Sequence, residues 1–293
     1  MKAVSQVLKN AAILTMDKEL HQYCPGAVAI QDDSIIAVGA EDDILSNYSA
    51  SEIIDCQGRV LMPGFINTHT HAPMTLLRGL SDDLRLDVWL LGYMMPVERE
   101  FVTPEFVALG TRIACAEFIR TGVTCFNDLY YFEQEVADAT AQVGLRAVCS
   151  QTVMMYPTPD ARSYEESLEY TRKFIQTYKD HALIVPSVGP HAPYTELAME
   201  FDVPLHIHIS ETKEEVDNMR NENGMPVVVW VKKQGVLEAK VIAAHCVHID
   251  EGEIRTLEHA HAGIAHNPSS NLKLASGIAP VTKMLELGVS VGI

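Results

Sequence analysis

The sequence predicts an α/β protein whose main part is a (β/α)8 TIM-like barrel, and three observations lead to that prediction. Eight apolar runs of strand length follow Pro63, and they are apolar almost throughout, as parallel strands buried on both faces are. Stretches with helical periodicity separate these runs, which is the order of βα units in a barrel. Polar residues, and histidines above all, collect where the runs end.

The first 59 residues are predicted to form a separate β-rich segment. "QVLKNAAILTM" and "AVAIQDDSIIAVGA" favour strands, and Asp32-Asp33 stands where a hairpin turn belongs. We therefore predict a small β domain over residues 1–59 and the barrel over residues 60–293.

The predicted barrel strands are, in order, "VLMPGFINT", "GVTCFND", "LRAVCSQTV", "ALIVPSVGP", "VPLHIHIS", "KVIAAHCV", "AGIAHNP" and "GVSVGI". One intervening helix is predicted from an N-cap at Thr103 to a stop at Gly122. Its predicted apolar stripe consists of Phe106, Leu109, Ile113 and Phe118. Thr212 with Glu215 predicts a capping box after the fifth strand.

One connection is shorter than a barrel requires. Only residues 196–202 remain for the helix between the fourth and fifth strands, whereas a parallel crossover normally takes at least about ten to twelve residues. We therefore expect residues to be missing near 195–196. "GVSVGI" is an eighth strand with nothing after it, so the barrel is expected to be incomplete after residue 293 as well.

Composition argues against several classes of function. A formal net charge of −17 over 293 residues repels nucleic-acid backbones, and no basic patch offsets it. No apolar run reaches the roughly 18 residues of a membrane helix, and the N-terminus is a poor signal peptide. Six scattered cysteines without a CxxC pair suit a reduced compartment. We expect a cytoplasmic protein that binds neither nucleic acid nor membranes.

Histidines stand at the ends of five predicted barrel strands. They are His69 and His71 on strand 1, His191 on strand 4, His206 and His208 on strand 5, His245 on strand 6, and His266 on strand 7. A single histidine at a strand end is usually an ordinary hydrogen-bonded residue. Strand ends in a barrel converge on one mouth, however, so histidines on five of them predict a metal site.

The predicted site takes two ligands from strand 1 and one from strand 5. His69 and His71, at positions i and i+2, point to the same side of the strand and can reach one ion. His206 and His208 also share a face, so the pattern does not choose between them. Three protein ligands leave a position open for water, as in catalytic sites. Imidazoles suit one divalent ion, zinc first, with iron, manganese or nickel as alternatives.

Two further features lie near the predicted mouth. Glu211 directly follows strand 5. It suits either a first-turn carboxylate that favours the helix dipole or a general acid/base beside metal-bound water. Leu86, Trp89 and Tyr93 are predicted to line one wall of a substrate pocket, although all three would fit equally well as core packing.

The motifs "PGFINTHTH", "GPHAPY", "HIHISET", "AAHCVH" and "HNPSSNLKLASGIAPV", taken in this order, resemble the metal-dependent amidohydrolase superfamily. The similarity is to its 5′-methylthioadenosine/S-adenosylhomocysteine deaminase and chlorohydrolase branch, from about Val7 to the last residue. It implies that the metal ligands are His69, His71 and His208.

The same resemblance implies roles for other residues. Glu211 would shuttle protons and His245 would lie beside the hydrolytic water and the leaving group. Glu98 resembles the carboxylate that holds a ribose, His191 a residue that contacts substrate, and Arg162 a residue near the substrate's tail. The likeness also implies a homo-oligomer.

The chain departs from the family pattern in its last strand, in the short fourth helix and at one pocket position. Family members end strand 8 with a metal-binding aspartate, whereas this sequence stops at Ile293. Gln151 stands where nucleoside-acting relatives can carry an arginine that contacts the substrate. The family also builds a small β-sandwich from N-terminal and C-terminal strands, and the C-terminal half is absent from this sequence.

The predicted function is metal-dependent hydrolytic deamination of adenine-type nucleosides, a small-molecule substrate class. Water activated by the metal would attack the ring carbon that bears the amino group, and ammonia would leave. The alternatives are a related enzyme that acts on a triazine or on guanine, or a truncated metal-binding remnant without efficient catalysis.

Overall fold

The chain divides into two units, Met1–Gly64 and Phe65–Ile293. The computed structural model describes residues 1–191 and 196–293. In the first unit the strands and helix are β1 (Lys2–Leu14), β2 (Gln22–Gln31), β3 (Ser34–Ala40), α1 (Glu41–Asn47), β4 (Tyr48–Asp55) and β5 (Val60–Leu61).

The barrel strands in the described part of the second unit are β6 (Phe65–Thr70), β7 (Val123–Tyr130), β8 (Arg146–Val153), β9 (Ile184–Pro190), β10 (Pro204–Ile209), β11 (Lys240–His245), β12 (Gly263–Ala265) and β13 (Val291–Gly292). The α-helices are α2 (Leu86–Trp89), α3 (Met95–Phe101), α4 (Pro104–Thr121), α5 (Glu133–Val143), α6 (Tyr164–Tyr178), α7 (Glu196–Phe201), α8 (Lys213–Asn223), α9 (Val227–Lys233), α10 (Glu251–His259), α11 (Pro268–Lys273) and α12 (Val281–Glu286). Within these ranges, no helix is long and apolar enough to cross a membrane.

The first unit is a mixed sheet in the order β3-β2-β1-β4, with β5 also paired to β1. Strands β2 and β3 form an antiparallel hairpin, and its turn falls at Asp32-Asp33, which confirms the predicted hairpin. Asp32 has φ 56°, a left-handed conformation that aspartate tolerates better than most residues. Val4, Val7, Ala27, Ala29 and Ile44 form the core on one face.

The second unit confirms the predicted barrel. Its eight strands are parallel and lie in sequence order from β6 to β13. The backbone N–H of Thr68 on β6 donates to the carbonyl oxygen of Ile293, next to β13, over 2.9 Å. This bond brings the first and last strands together, so the sheet is a nearly closed barrel and all strand ends face one rim.

Helix α4 begins and ends where predicted, but only Phe106 and Phe118 of the predicted stripe pack against the core. The Thr103 hydroxyl accepts from the Phe106 N–H, and Gly122 ends the helix at φ 81°. Leu109 is 50% exposed, whereas the buried face consists of Val107, Gly110, Thr111, Ala114 and Cys115. Position 110 requires glycine, because a Cβ there would lie 2.4 Å from the Pro73 carbonyl oxygen.

In the part that the structure describes, the connection between β9 and β10 contains the short helix that the sequence predicts. Helix α7 covers only six residues, Glu196–Phe201. Residues 192–195 lie outside the described part of the chain. They include the end of the "GPHAPY" motif and the point near Thr195 where residues are predicted to be missing.

Candidate active site

The carboxyl ends of the barrel strands surround a cavity of about 570 Å³. Eight of the nine residues predicted for the site line it: His69, His71, Trp89, Glu98, His191, His208, Glu211 and His245. The barrel explains the convergence, since residues far apart in sequence end their strands at the same rim.

Arg162 is the exception among the nine. It precedes helix α6, its side chain is exposed, and it does not line the cavity. Its backbone N–H donates to the Glu166 carboxylate over 2.7 Å, which fixes the turn into the helix with the guanidinium on the outside. The predicted contact between Arg162 and a substrate tail finds no support in this placement.

Three histidines form the centre of the cavity. His69, His71 and His208 each place a ring nitrogen within 4.8 Å of the others. His69 lies near the end of β6, His71 directly after it, and His208 near the end of β10. Three converging imidazoles are a donor set that zinc and similar divalent ions prefer, so these residues fit a metal of that type.

Nδ1 of His69 and Nδ1 of His71, the ring nitrogens that face away from the centre of the cluster, already have hydrogen-bond partners. Nδ1 of His69 lies 2.9 Å from Nε2 of His206, and Nδ1 of His71 contacts the carbonyl oxygen of Leu129. Nε2 of each ring is thereby left to face the centre. His206 is fully buried and lies behind His69, so the geometry distinguishes the two strand-5 histidines: His208 joins the cluster and His206 does not.

Burial keeps the imidazoles of the site neutral. Desolvation, helped by the neighbouring rings, lowers the pKa of His69 and of His208 well below its usual range. Burial lowers the pKa of His206 to about 3 and that of His245 to about 4. Neutral imidazoles have a free lone pair, which is the form that binds metal ions.

Glu211 lies at the rim after β10, where a second glutamate holds its backbone. Both carboxylate oxygens of Glu215 accept backbone N–H groups, from Ser210 over 2.9 Å and from Glu211 over 2.8 Å. Thr212 is the N-cap of α8 as predicted, but Glu215 reaches back past it, so a simple capping box is not formed. This arrangement holds the Glu211 side chain over the cavity.

The Glu211 carboxyl is 7% exposed, and burial raises its pKa to about 7. The Ser276 hydroxyl donates to its Oε1 over 3.4 Å, and Nδ1 of His245 is 3.6 Å from the same oxygen. A carboxyl group with a pKa near neutrality can both take up and release a proton, as general acid/base chemistry requires.

His245 is held in a strained backbone conformation at the end of β11. Its φ is 74°, a left-handed value that is rare for a residue with a side chain. Nδ1 of the ring lies 2.7 Å from Oδ1 of Asn271. An amide oxygen can only accept, so Nδ1 carries the proton and Nε2 is free.

The opposite wall of the cavity comes from the helices between β6 and β7. Glu98 on α3 is 6% exposed; its Oε1 accepts from the Tyr130 hydroxyl over 2.9 Å, and burial raises its pKa to about 7. Leu86 and Trp89 line the cavity nearby, as predicted. Tyr93 does not line it and is 46% exposed, so the prediction for Tyr93 was wrong.

His191 lines the cavity, with its ring centroid 5.8 Å from that of His208. Gln151 does not line it. The Gln151 amide group donates to Asp160 over 2.8 Å and accepts from the Glu133 N–H over 3.1 Å. Because side chains alternate along β8, Thr152 faces the cavity and Gln151 faces the helices. Gln151, which departs from the arginine that relatives can carry, therefore makes no contact with the cavity.

Several supporting residues were not predicted from the sequence. Asn271 and Ser276 come from "HNPSSNLKLASGIAPV", a motif used for the resemblance without roles for its residues. Tyr130 could have been suspected only from its strand-end position. Glu215 was predicted as part of a capping box, but not as the residue that holds the backbone of Ser210 and Glu211. None of the four carries a metal-binding signal, and their partners are distant in sequence or on the backbone, so only the fold shows the contacts.

Comparison with known proteins gives a consistent result. The sequence model of the amidohydrolase family matches residues 60–293. The chain is 42% identical over 299 residues to a 5-methylthioadenosine/S-adenosylhomocysteine deaminase of Thermodesulfovibrio yellowstonii, covering 98% of this chain and 68% of that protein. It is 44% identical over 250 residues to a 5′-deoxyadenosine deaminase of Methanothrix thermoacetophila, covering 82% of this chain and 59% of that protein.

Among solved structures, an adenosine deaminase from Xanthomonas campestris with bound zinc superposes with a TM-score of 0.95 at 32% identity. The match covers 99% of this chain and 69% of that one. A guanine deaminase from C. acetobutylicum matches with a TM-score of 0.83 at 23% identity, over 98% of this chain and 73% of that one. The second likeness concerns the fold alone.

Proposed function

Because this chain belongs to the amidohydrolase family, we propose that it is a metal-dependent hydrolytic deaminase of adenine-type nucleosides such as 5′-methylthioadenosine, 5′-deoxyadenosine, adenosine and S-adenosylhomocysteine. One observation carries the proposal: the cluster of His69, His71 and His208 shares a cavity with a carboxyl group whose pKa is near 7. The names of the relatives at about 40% identity support this substrate class.

The metal in this proposal is zinc. Nε2 of His69, Nε2 of His71 and a ring nitrogen of His208 would hold it, and the zinc in the adenosine deaminase structure supports that choice. When bound, such an ion supplies Lewis acidity and lowers the pKa of a water molecule toward neutrality. Iron, manganese and nickel remain chemically compatible with three imidazoles.

Glu211 moves the proton in the proposed reaction. Its carboxyl group, with a pKa near 7, takes a proton from the attacking water and passes it to the ring nitrogen next to the amino-bearing carbon. Protonation of that nitrogen makes the carbon electrophilic. The hydroxide that remains adds at this carbon. Glu211 then carries the proton of the added hydroxyl group to the amino group, so that ammonia leaves as the C–N bond breaks and the carbon becomes a ring carbonyl. The Ser276 hydroxyl donates to the Glu211 carboxyl group, and the Glu211 backbone N–H donates to the Glu215 carboxylate; together these bonds hold the carboxyl group in reach.

His245 and Glu98 act at two ends of the bound nucleoside. His245, with Nδ1 fixed by Asn271, presents Nε2 as an acceptor that orients the attacking water. Glu98 is bonded at Oε1 by Tyr130, so Oε2 is left to accept hydrogen bonds from ribose hydroxyls. His191 and Trp89 line the same cavity and contact the substrate between these two groups.

The test is ammonia release by zinc-loaded protein on a panel of methylthioadenosine, 5′-deoxyadenosine, adenosine, S-adenosylhomocysteine, guanine and a chloro-triazine. We expect turnover confined to the adenine nucleosides. The Glu211→Gln variant should keep its metal and lose nearly all turnover. The control is Glu253→Gln, which changes a buried glutamate outside the cavity. Turnover by Glu211→Gln within about tenfold of wild type would contradict the role of Glu211.

We also propose a cytoplasmic homo-oligomer in which the first unit contributes one layer of a small β-sandwich. The apolar side chains of Ile35 and Ile54, which are 69% and 40% exposed and lie on the same face of that sheet, support a covered face. Leu91 and Phe101, 63% and 55% exposed, support a contact between subunits. Light scattering after size-exclusion chromatography measures the assembly: a monomer at micromolar concentration would count against the oligomer.

A further inference from the structure

We propose that His206 is a positioning residue for the metal site, which fixes the tautomer and orientation of the His69 ring through a directed chain of hydrogen bonds. The inference rests on the proposed metal site, but not on the identity of the substrate.

The chain of hydrogen bonds runs through the interior of the barrel and links four strands. Nδ1 of His69 on β6 lies 2.9 Å from Nε2 of His206 on β10. Nδ1 of His206 lies 3.3 Å from the Ser150 hydroxyl on β8. That hydroxyl donates to Oδ1 of Asn127 on β7 over 3.4 Å. The amide nitrogen of Asn127 donates over 2.9 Å to the carbonyl oxygen of Thr68, beside His69.

The Thr68 carbonyl oxygen, at one end of this series of hydrogen bonds, determines which atom is the donor in each of them. The Thr68 carbonyl can only accept, so the Asn127 amide nitrogen faces it and Oδ1 of Asn127 faces Ser150. Ser150 uses its proton on Asn127, so its oxygen can only accept from Nδ1–H of His206. A neutral His206 then presents Nε2 as an acceptor, and His69 must donate from Nδ1.

The consequence falls on the metal-facing side of His69. With its proton on Nδ1, the ring has its lone pair on Nε2, the atom that points to the cluster with His71 and His208. The ring is also held at a fixed angle, 90° to that of His206 with centroids 4.9 Å apart. Hydrogen bonds behind a metal-binding histidine commonly set its tautomer and basicity, and losing them typically costs 10- to 100-fold in metal affinity.

The burial of the chain makes the direction stable. His206 and Ser150 are fully buried and Asn127 is 5% exposed, so water does not compete for these groups. No carboxylate is among the hydrogen-bond partners described for His206, and an unpaired imidazolium in this position would be costly. A buried histidine that only filled space would not need its two ring nitrogens matched in this order.

The experiment measures zinc affinity by competition with a chromophoric chelator, in the absence of substrate. His206→Leu removes the acceptor at similar volume, and we expect zinc binding about 10- to 100-fold weaker. His206→Gln restores an acceptor oxygen at about the reach of Nε2 and should bind within about threefold of wild type. Ser187→Ala is the matched control. It removes a buried hydroxyl that donates to the Pro204 carbonyl oxygen over 2.8 Å and takes no part in the hydrogen bonds behind His69.

Spectra of the cobalt(II)-substituted proteins give a second readout. The visible bands should change in His206→Leu and be recovered in His206→Gln, since they report the geometry of the ligands. Should His206→Leu fail to fold, Ser150→Ala and His206→Gln decide: the first should weaken zinc binding severalfold and the second should not.

Three results would overturn the proposal. One is zinc affinity in folded His206→Leu within twofold of wild type. Another is equal weakening in His206→Leu and Ser187→Ala, which indicates general loosening of the barrel. The third is no zinc binding by the wild-type protein, which removes the metal site itself. Failure of the nucleoside panel with normal zinc binding would overturn the substrate assignment and leave this inference standing.

Discussion

Replacing Glu98 by glutamine tests how the cavity holds a ribose. Tyr130 donates to Oε1 of Glu98 over 2.9 Å, so a glutamine must keep its oxygen on that side. Its NH2 group then stands where Oε2 of the carboxylate accepts ribose hydroxyls in the proposed complex. The side chain keeps nearly the same shape and volume, but its NH2 group cannot accept, so the charged acceptor for the ribose hydroxyls is lost.

The size of the effect follows from the kind of hydrogen bond that is lost. A hydrogen bond to a charged group contributes about 1.5–3 kcal/mol, which corresponds to roughly 10- to 150-fold in kcat/KM. Burial raises the pKa of Glu98 to about 7, and the carboxylate is the strong acceptor. The effect should therefore be small at pH 6, where the group is mostly protonated, and full at pH 8.

The assay compares adenosine with 2′,3′-dideoxyadenosine as substrates. In the wild-type protein the kcat/KM for adenosine divided by that for the dideoxy compound should rise between pH 6 and pH 8, because the dideoxy compound has no 2′- or 3′-hydroxyl to donate. The ratio removes the contribution of Glu211, which titrates in the same range but serves both substrates. Glu100→Gln on the exposed side of the same helix is the matched control.

Two outcomes would refute this reasoning. If Glu98→Gln lowers kcat/KM equally for both compounds, the carboxylate does not act on the ribose. If the substrate ratio of the wild-type protein is flat across this pH range, the ionisation of Glu98 does not control binding.

Two other predictions concern the proton-handling side of the cavity. Asn271→Ala removes the acceptor that fixes Nδ1 of His245, and we expect kcat/KM to fall about 10- to 100-fold with zinc content unchanged; a loss under twofold contradicts the anchoring role. In metal-free protein, Glu211 has a pKa near 7 when folded and near 4.5 when unfolded. Between these two pH values the unfolded state binds fewer protons than the folded state. The free energy of unfolding of the wild-type protein therefore falls as the pH rises from 4.5 to 7. Urea unfolding should show Glu211→Gln gaining up to about 3 kcal/mol over wild type from pH 4.5 to pH 8, and a constant difference across this range would show that the carboxyl group is not held protonated by the fold.

The barrel could be predicted because its signals are local. Each strand is a short apolar run, and helix α4 is marked at both ends by Thr103 and Gly122. The predicted stripe on α4 was right for Phe106 and Phe118 but not for Leu109. The side of the helix that packs most closely has Gly110 against Pro73. That contact depends on tertiary packing, and a hydrophobicity pattern does not contain it.

The candidate site, too, could be predicted only in part. Histidines at strand ends pointed to the histidine cluster, but His206 and His208 share a strand face and only their ring partners tell them apart. Gln151 and Thr152 are neighbours in sequence, and the one that faces the cavity depends on the exact register of β8. Sequence motifs thus locate the chemistry, while the orientation of each ring and amide follows from contacts across the barrel.

The separate origins of the two ends of the cavity bear on how its substrate range can change in evolution. Trp89 and Glu98 belong to α2 and α3, in the long excursion between β6 and β7. The histidine cluster, Glu211 and His245 belong to the strand rim. Mutations in the excursion can therefore be sampled without displacing the rim residues. Gene duplicates of such a protein could acquire new specificities through that segment while the reaction itself is inherited unchanged.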